Sequence, residues 1–376
     1  LVFLVISCPC ALVISIPLGF LGGIGAASRR GILVKGGTAL EQMRQLDTVV
    51  FDKTGTLTRG RFTVTSQALD PALDAAGLCA AAESASPHPI ARAIRDAAAE
   101  SIRLAPRKPL DQYRVEHHEE RSGFGVSAMV DGRQVLCGSE ALLRQEGIPV
   151  PQAVSPASGT DSSPDPAAEA GTLVHVAVDR RYAGHLVVED EVKPTAAEAV
   201  LLLRRLGVRT VALVTGDGEA AARHVADRAG IGAVHFRQLP DQKVQVVERL
   251  LQEKDALPGG TRKRLAFVGD GLNDAPVLAR ADVGVAMGGG TDAAVESADV
   301  VLMHEDPRRV ADGIRIARKT HAIVVQNVIL ALGVKLVLMA LGTAGLSGLW
   351  EAVFADVGVA LLAVLNAGRA LYAQIR

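Results

Sequence analysis

Three long apolar runs set the outer limits on what this chain can fold into. They cover 1–27, 322–346 and 349–372, and a long polar block separates the first from the other two. Each is long enough, at about 1.5 Å per helical residue, to cross a hydrocarbon core about 30 Å thick. A secretory signal does not fit the first run. No basic segment precedes it, and Arg29, Arg30 and Lys35 follow it. The remaining basic residues orient the whole. Arg315, Arg318 and Lys319 precede the second run, Arg369 and Arg376 close the third, and the connection 343–349 has neither Lys nor Arg. By the positive-inside rule the chain is multi-pass, with 29–320 and the C-terminus cytoplasmic and the last two helices forming a hairpin that turns outside.

The 376 residues suggest two or three domains, and a net charge of −1 gives no footprint for nucleic acid. The sequence opens on Leu, in the middle of an apolar run, which reads as a fragment or an N-terminally truncated product. Within the polar block, 46–51 (LDTVVF), 210–214 (TVALV), 265–268 (LAFV) and 283–286 read as short buried strands. Helical patterns at 195–206, 218–229 and 241–253 alternate with them, which predicts a parallel sheet covered by helices. From 63 to 185 the pattern changes to alternating strands such as 126–130 and 174–178, as expected of a domain inserted into the α/β domain. Residues 149–171 are rich in Pro, Ser and Ala and read as a disordered surface loop.

Ligands of an open parallel sheet gather beyond the C-terminal ends of its strands. Three polar clusters fall there: Asp52-Lys53-Thr54-Gly55-Thr56, Thr215-Gly216-Asp217, and Gly269-Asp270-Gly271-Leu272-Asn273-Asp274. A single Asp after a strand is ordinarily a turn or a cap; three such clusters in one sheet call for chemistry. Asp52 is placed to attack a γ-phosphate and form an aspartyl phosphate. Such a transfer needs Mg2+, which Asp270 and Asp274 can hold together with Asp52 and the Thr54 carbonyl. Thr215 and the Gly216 amide can cradle phosphoryl oxygens, and Lys243 can neutralise developing charge.

The motif FDKTGTLT, followed by TGD and then GDGLND, resembles the P-type ATPases, whose catalytic domain has the haloacid-dehalogenase-like, Rossmann-like fold. The resemblance implies membrane α-helices joined to a cytoplasmic α/β phosphorylation domain that carries an inserted α+β nucleotide-binding domain. The bounds it suggests are 1–28 for a first membrane helix, 29–62 and 186–320 for the phosphorylation domain, 63–185 for the nucleotide-binding domain, and 321–376 for two further membrane helices. It also implies that Asp52 is phosphorylated, that Asp270 binds magnesium, and that 189–194 re-enters the phosphorylation domain. In the heavy-metal branch a Glu five residues before a His-Pro pair contacts ATP, as Glu83 and His88 are spaced here. A GxGxxG turn contributes through Gly123 and Gly125, although Ala128 stands where the third glycine would be. His117 and His118 read as a solvated surface pair. Cys79 and Cys137 have no close partner in the sequence and read as small buried residues.

Cys8-Pro9-Cys10 lies inside the first apolar run, where Pro9 removes a helical hydrogen bond and two thiolates favour a soft or borderline metal. An intramembrane CPC some forty residues before DKTGT resembles the heavy-metal P-type ATPases. Lys335 and Asp356 are charged residues deep in the second and third runs, where ionisable groups are costly. Counted from the hairpin turn, Lys335 lies about 18 Å along one helix and Asp356 about 14 Å along the other, a similar depth. Two thiolates and one carboxylate around an M2+ ion leave one negative charge, which Lys335 cancels. A Cu+ site needs neither group. Asp356-Val357-Gly358 is similar to the Asp-x-Gly of the zinc, cadmium and lead exporters. Aligned on Asn366, Asp356 stands where copper pumps have Met, which leaves Cu+ export as the alternative. The resemblance further implies an actuator domain with a TGE loop. No TGE tripeptide occurs, so the expected partners are a missing N-terminal part, ATP, the lipid bilayer of a bacterial plasma (inner) membrane and the metal ion. A membrane-anchored phosphotransferase acting on a small molecule is the competing class.

Overall fold

The computed structural model describes residues 10–100, 106–121, 124–151, 171–256, 263–271, 274–344 and 348–372. They divide into two compact units, one formed by 1–57, 194–216 and 228–376 and the other by 58–193 and 217–227.

The first unit is organised by a seven-stranded sheet. Its strands are β1 (Ile32–Val34), β2 (Leu46–Asp52), β9 (Thr210–Val214), β10 (Ala233–His235), β11 (Arg264–Gly269), β12 (Val283–Met287) and β13 (Val300–Leu302), in the order β1-β13-β12-β11-β2-β9-β10. All pair in parallel except the edge strand β1, which runs antiparallel to β13. β2 is buried at every position, as a central strand covered on both faces must be. One face sets Val50, Ala212 and Phe267 against Val246, Val247 and Leu251 of helix α8 (Pro240–Asp255) and against Val277 and Leu278 of α9 (Ala275–Arg280). Val49, Phe51, Leu213 and Val268 point the other way and are equally buried. From β2 the chain adds β9 and β10 on one side and then β11 to β13 on the other. The order reverses at β2 and β11, where such sheets bind ligands.

Three helices of this unit are long and apolar enough to cross a membrane: α1 (Cys10–Ser28), α11 (Arg308–Thr343) and α12 (Leu349–Leu371). They pack through small residues. A Cβ on Gly23 of α1 would fall 2.3 Å from Thr320 Oγ1 of α11, and one on Gly22 would fall 3.1 Å from the Ala370 Cβ of α12. Such close approach is how membrane helices gain contact without a hydrophobic driving force. The boundary expected at 320/321 does not exist as a break. α11 runs unbroken for 36 residues, and its first turns bury Val310, Ile314 and Ile316 before the apolar span begins. The polar N-terminal half hid this continuity, because an apolar run marks only the part that meets lipid.

The second unit is built on an antiparallel six-stranded sheet, ordered β3 (Thr58–Leu69), β8 (Arg181–Val192), β7 (Thr172–Val178), β6 (Arg133–Gly138), β5 (Gly125–Val130) and β4 (Val115–Arg121). Helices α3 (Ala75–Ala82) and α4 (Pro89–Ala99) pack an Ala- and Val-rich core on one face, and α5 (Glu140–Gln145) covers a smaller cluster with Leu136, Leu142 and Ile148. β3 and β8 pair along most of their lengths. The compact unit therefore starts at Thr58 and runs to Lys193, wider than the expected 63–185. The cysteines are buried as expected, and the structure adds to that reading and corrects the reading of the histidine pair. Cys79 and Cys137 face one another, with sulfurs 3.0 Å apart and both side chains fully buried; 58 positions of chain separate them, so only the tertiary fold makes them neighbours. His117 is exposed, but His118 is half-buried and its Nε2 is enclosed without a hydrogen-bond partner.

Candidate functional site

Asp52 ends β2, and the next residues turn sharply. Thr54 is extended at φ −70° and ψ 133°, and Gly55 takes φ +70°. That left-handed backbone favours glycine. A side chain is also sterically excluded there, since a Cβ on Gly55 would overlap the Asp270 carboxylate. The turn thereby lets β11's terminal loop approach Asp52. Asp52, Asp270 and Asp274 each offer a carboxylate oxygen, all within 4.8 Å of one another. Lys243, in the first turns of α8, donates to Asp52 Oδ1 at 2.6 Å and to Asp274 Oδ1 at 2.8 Å. Asp274 Oδ2 in turn accepts from the Gly271 amide at 3.3 Å.

The electrostatics follow from burial. Loss of solvent pushes the Asp52 carboxyl up to about 7, and the neighbouring Asp274 and Asp270 charges add to the rise while Lys243 opposes it. Burial alone would lower the Lys243 ammonium, but Asp52 and Asp274 together outweigh it and hold it above the ordinary lysine value. Three carboxylates crowded around one lysine are a donor set short of positive charge, which is the chemistry that admits a hard divalent cation such as Mg2+. The Thr56 hydroxyl, in the same turn, is fully buried and has no hydrogen-bond partner. Its place in the DKTGT pentapeptide was the available signal, yet it was not among the sequence-derived candidates. Lys53 is buried and Thr54 exposed.

Thr215 lies one residue beyond Val214, the register partner of Asp52. Its backbone is engaged on both sides, donating to the His235 carbonyl and accepting from the Gln238 amide. Gly216 follows it in the first unit, whereas Asp217 clusters with the second. Asn273 lies outside the described residues.

In the second unit Glu83 is 5% exposed and opens a short turn, Glu83–Ala85. Arg95 of α4 clamps this turn through the carbonyls of Glu83 at 2.6 Å, Ser86 at 2.9 Å and Ser84 at 3.3 Å. Burial raises the Glu83 carboxyl to about 7, and the Glu120 charge adds to this. His88 caps α4, its Nδ1 accepting from the Ile90 amide at 3.2 Å. Gly125 opens β5 at φ +139°, where a Cβ would fall 2.2 Å from the Cys137 carbonyl oxygen. Gly123 lies outside the described residues.

Between the long apolar helices, Lys335 of α11 and Asp356 of α12 form an ion pair at 3.4 Å, mostly buried. Lys335 Nζ and Asp356 Oδ1 make no hydrogen bond despite that proximity. Ala11 of α1 packs with Ala331 and Val359, and Val334 joins the same cluster. The start of α1 thus stands at the depth of the ion pair. Cys8 and Pro9 lie outside the described residues, and of Cys10 only the backbone is described.

Comparison with known proteins agrees with this architecture. The sequence profile of the haloacid dehalogenase-like hydrolases matches residues 46–282. A zinc-transporting ATPase of Synechocystis sp. is 51% identical over 98% of this chain and 48% of its own length. A cadmium, zinc and cobalt-transporting ATPase of Bacillus subtilis is 50% identical over 99% of this chain and 50% of its own. The crystal structure of a zinc-transporting PIB-type ATPase in its E2·Pi state matches at a TM-score of 0.81 and 36% identity, over 97% of this chain and 56% of that one. The chain belongs to the haloacid dehalogenase-like hydrolases, and along nearly its whole length it is similar to P-type ATPases named for zinc and cadmium transport. It spans about half the length of the curated relatives it matches.

Proposed function

We propose that the protein couples ATP hydrolysis to the export of a soft divalent metal ion, Zn2+, Cd2+ or Pb2+, across a bacterial plasma membrane through a phosphorylated Asp52. The observation that carries the reading is the convergence of Asp52, Asp270 and Asp274 on Lys243 at the reversal point of the sheet. The Asp52 carboxylate attacks the γ-phosphorus; a bond forms from its oxygen to phosphorus while the β,γ-bridging bond breaks and ADP leaves. Lys243 meets the charge that develops on the phosphoryl oxygens, already held in place by its two carboxylate bonds. Thr215 and Gly216 bind those oxygens, with Lys53, Thr54, Asp217 and Asn273 completing the loops. Mg2+, held by Asp52, Asp270, Asp274 and the Thr54 carbonyl, supplies charge neutralisation when bound. The second unit takes the nucleotide through Glu83, His88, Gly123 and Gly125.

The cargo is received by Cys8, Cys10 and Asp356, with Lys335 balancing charge. Two thiolates and a carboxylate around a divalent ion leave one negative charge, and the ammonium cancels it. The 3.4 Å ion pair supports this, because a monovalent soft cation held by thiolates has no use for either group. The relatives named for zinc and for cadmium, zinc and cobalt support a divalent cargo.

The test is ATP turnover of the full-length protein in lipid, titrated with Zn2+, Cd2+, Pb2+ and Cu+, beside Asp356→Ala. Stimulation by the divalent ions that Asp356→Ala removes is the expected result. Stimulation by Cu+ alone would overturn the choice of cargo and leave the phosphoryl chemistry standing. Turnover indifferent to every metal would favour a phosphotransferase.

A further inference from the structure

At the cytoplasmic end of the membrane helices, a cavity of about 410 Å³ opens beside α11 and α12, lined by Lys319, Leu365, Gly368, Arg369 and Tyr372. None of these lining residues is acidic. Arg369 lies in the last turn of α12, and its guanidinium donates to the Asn366 side chain at 2.7 Å, which fixes its direction. Lys319 brings a second cation from α11. A third, Arg29 at the end of α1, stands over the Tyr372 ring, 5.2 Å from its centroid. The other walls are apolar and face outward: Leu365 is 63% and Tyr372 72% exposed. Between them Gly368 leaves the space open, since a Cβ built there would meet nothing within 4 Å.

Depth identifies the occupant. α12 is about 34 Å long against a hydrocarbon core of about 30 Å, which sets Arg369 and Tyr372 in the headgroup layer. Lys319 lies about one turn short of the last 20 residues of α11, the stretch needed to cross, and so reaches the same layer. Cations converging at headgroup depth above an exposed leucine match the two ends of a phospholipid, a phosphodiester and an acyl chain. We propose that this cavity binds an anionic glycerophospholipid of the cytoplasmic leaflet, its phosphodiester between Lys319 and Arg369 and its acyl chain along Leu365. Free phosphate shares the headgroup chemistry but has no use for the apolar wall.

The experiment measures lipids retained on the detergent-purified full-length protein by native mass spectrometry, after exposure to an equal mixture of phosphatidylglycerol and phosphatidylcholine. Wild type is expected to retain phosphatidylglycerol preferentially. Arg369→Gln is expected to lower that preference about fivefold, the weight of one basic side chain at a membrane surface. Gly368→Leu is expected to lower it at least as much by narrowing the cavity, with every charge in place and open space around the new Cβ. Equal retention of the two lipids by wild type, or undiminished preference in either variant, would overturn the proposal. So would displacement of the lipid by inorganic phosphate at matched concentration.

Discussion

The molecule sets a lysine against buried carboxylates twice, and the two arrangements differ in how tightly the charges are tied. Beyond β2, Lys243 makes hydrogen bonds of 2.6 and 2.8 Å to Asp52, the last residue of β2, and Asp274, the N-cap of α9. Between α11 and α12, Lys335 and Asp356 stand 3.4 Å apart and form no hydrogen bond. Removing charges from water is costly in both places, and each pair offsets part of that cost. On the proposed function the first arrangement would keep its dipoles fixed for a charge that arrives in the transition state. On the proposed function the second would be a placeholder, because Asp356 Oδ1, without a hydrogen bond of its own, could exchange Lys335 for an arriving cation with little to break.

If that contrast is right, Lys243→Met does the deepest damage. It leaves three carboxylates facing each other, and acid-stable phosphoenzyme formed from labelled ATP is expected to fall about 100- to 1,000-fold. Lys335→Met acts on the looser pair and is expected to lower metal-stimulated ATP turnover about tenfold. Phosphorylation of Asp52 by inorganic phosphate should survive it. Equal losses in both assays for both variants would remove the distinction between a fixed site and an exchangeable one.

Glu83 provides a milder case, a buried carboxyl whose side chain has no tight lysine. Its folded-state value of about 7 lies above the ordinary 4.5, so the folded form binds the proton more tightly. The stabilisation this gives is complete below about pH 4.5 and is lost as pH rises through 7, where the carboxylate must ionise out of water. Glu83→Gln is therefore expected to raise the thermal midpoint by about 2–4 °C at pH 8. Near pH 5 the gain should vanish, and thermal melts at the two pH values read the difference. A gain independent of pH would mean that the ionised carboxyl is not the cost.

The cluster of Asp52, Asp270 and Asp274 was legible because its parts are local and its frame is periodic. Buried parallel strands read as unbroken apolar runs, so the residues just past 51, 214 and 268 read as strand ends. The meeting of Lys335 with Asp356 was equally accessible, since the rise of a helix converts sequence position into depth. What escaped is what depends on packing across the fold. β3 carries Arg59 and Arg61 with a mixed burial pattern and gave no alternation, so the edge of the second unit was drawn too narrowly. Nothing local links Cys79 to Cys137. The first turns of α11 alternate Arg and Asp with the buried Val310, Ile314 and Ile316 and so form no apolar run.

That unbroken α11 makes the helix a lever. Thr320, packed against Gly23, would serve as a fulcrum between an arm carrying Ile314 and Ile316 and an apolar arm carrying Lys335. Lys335 lies about 22 Å from that fulcrum, so tilting the rod by about 10° sweeps its Cα through about 4 Å. That sweep exceeds the 3.4 Å separating Lys335 from Asp356. On the proposed function, a modest rocking of the α/β layer would thus suffice to open or close the charge pair, with no rearrangement inside the helix.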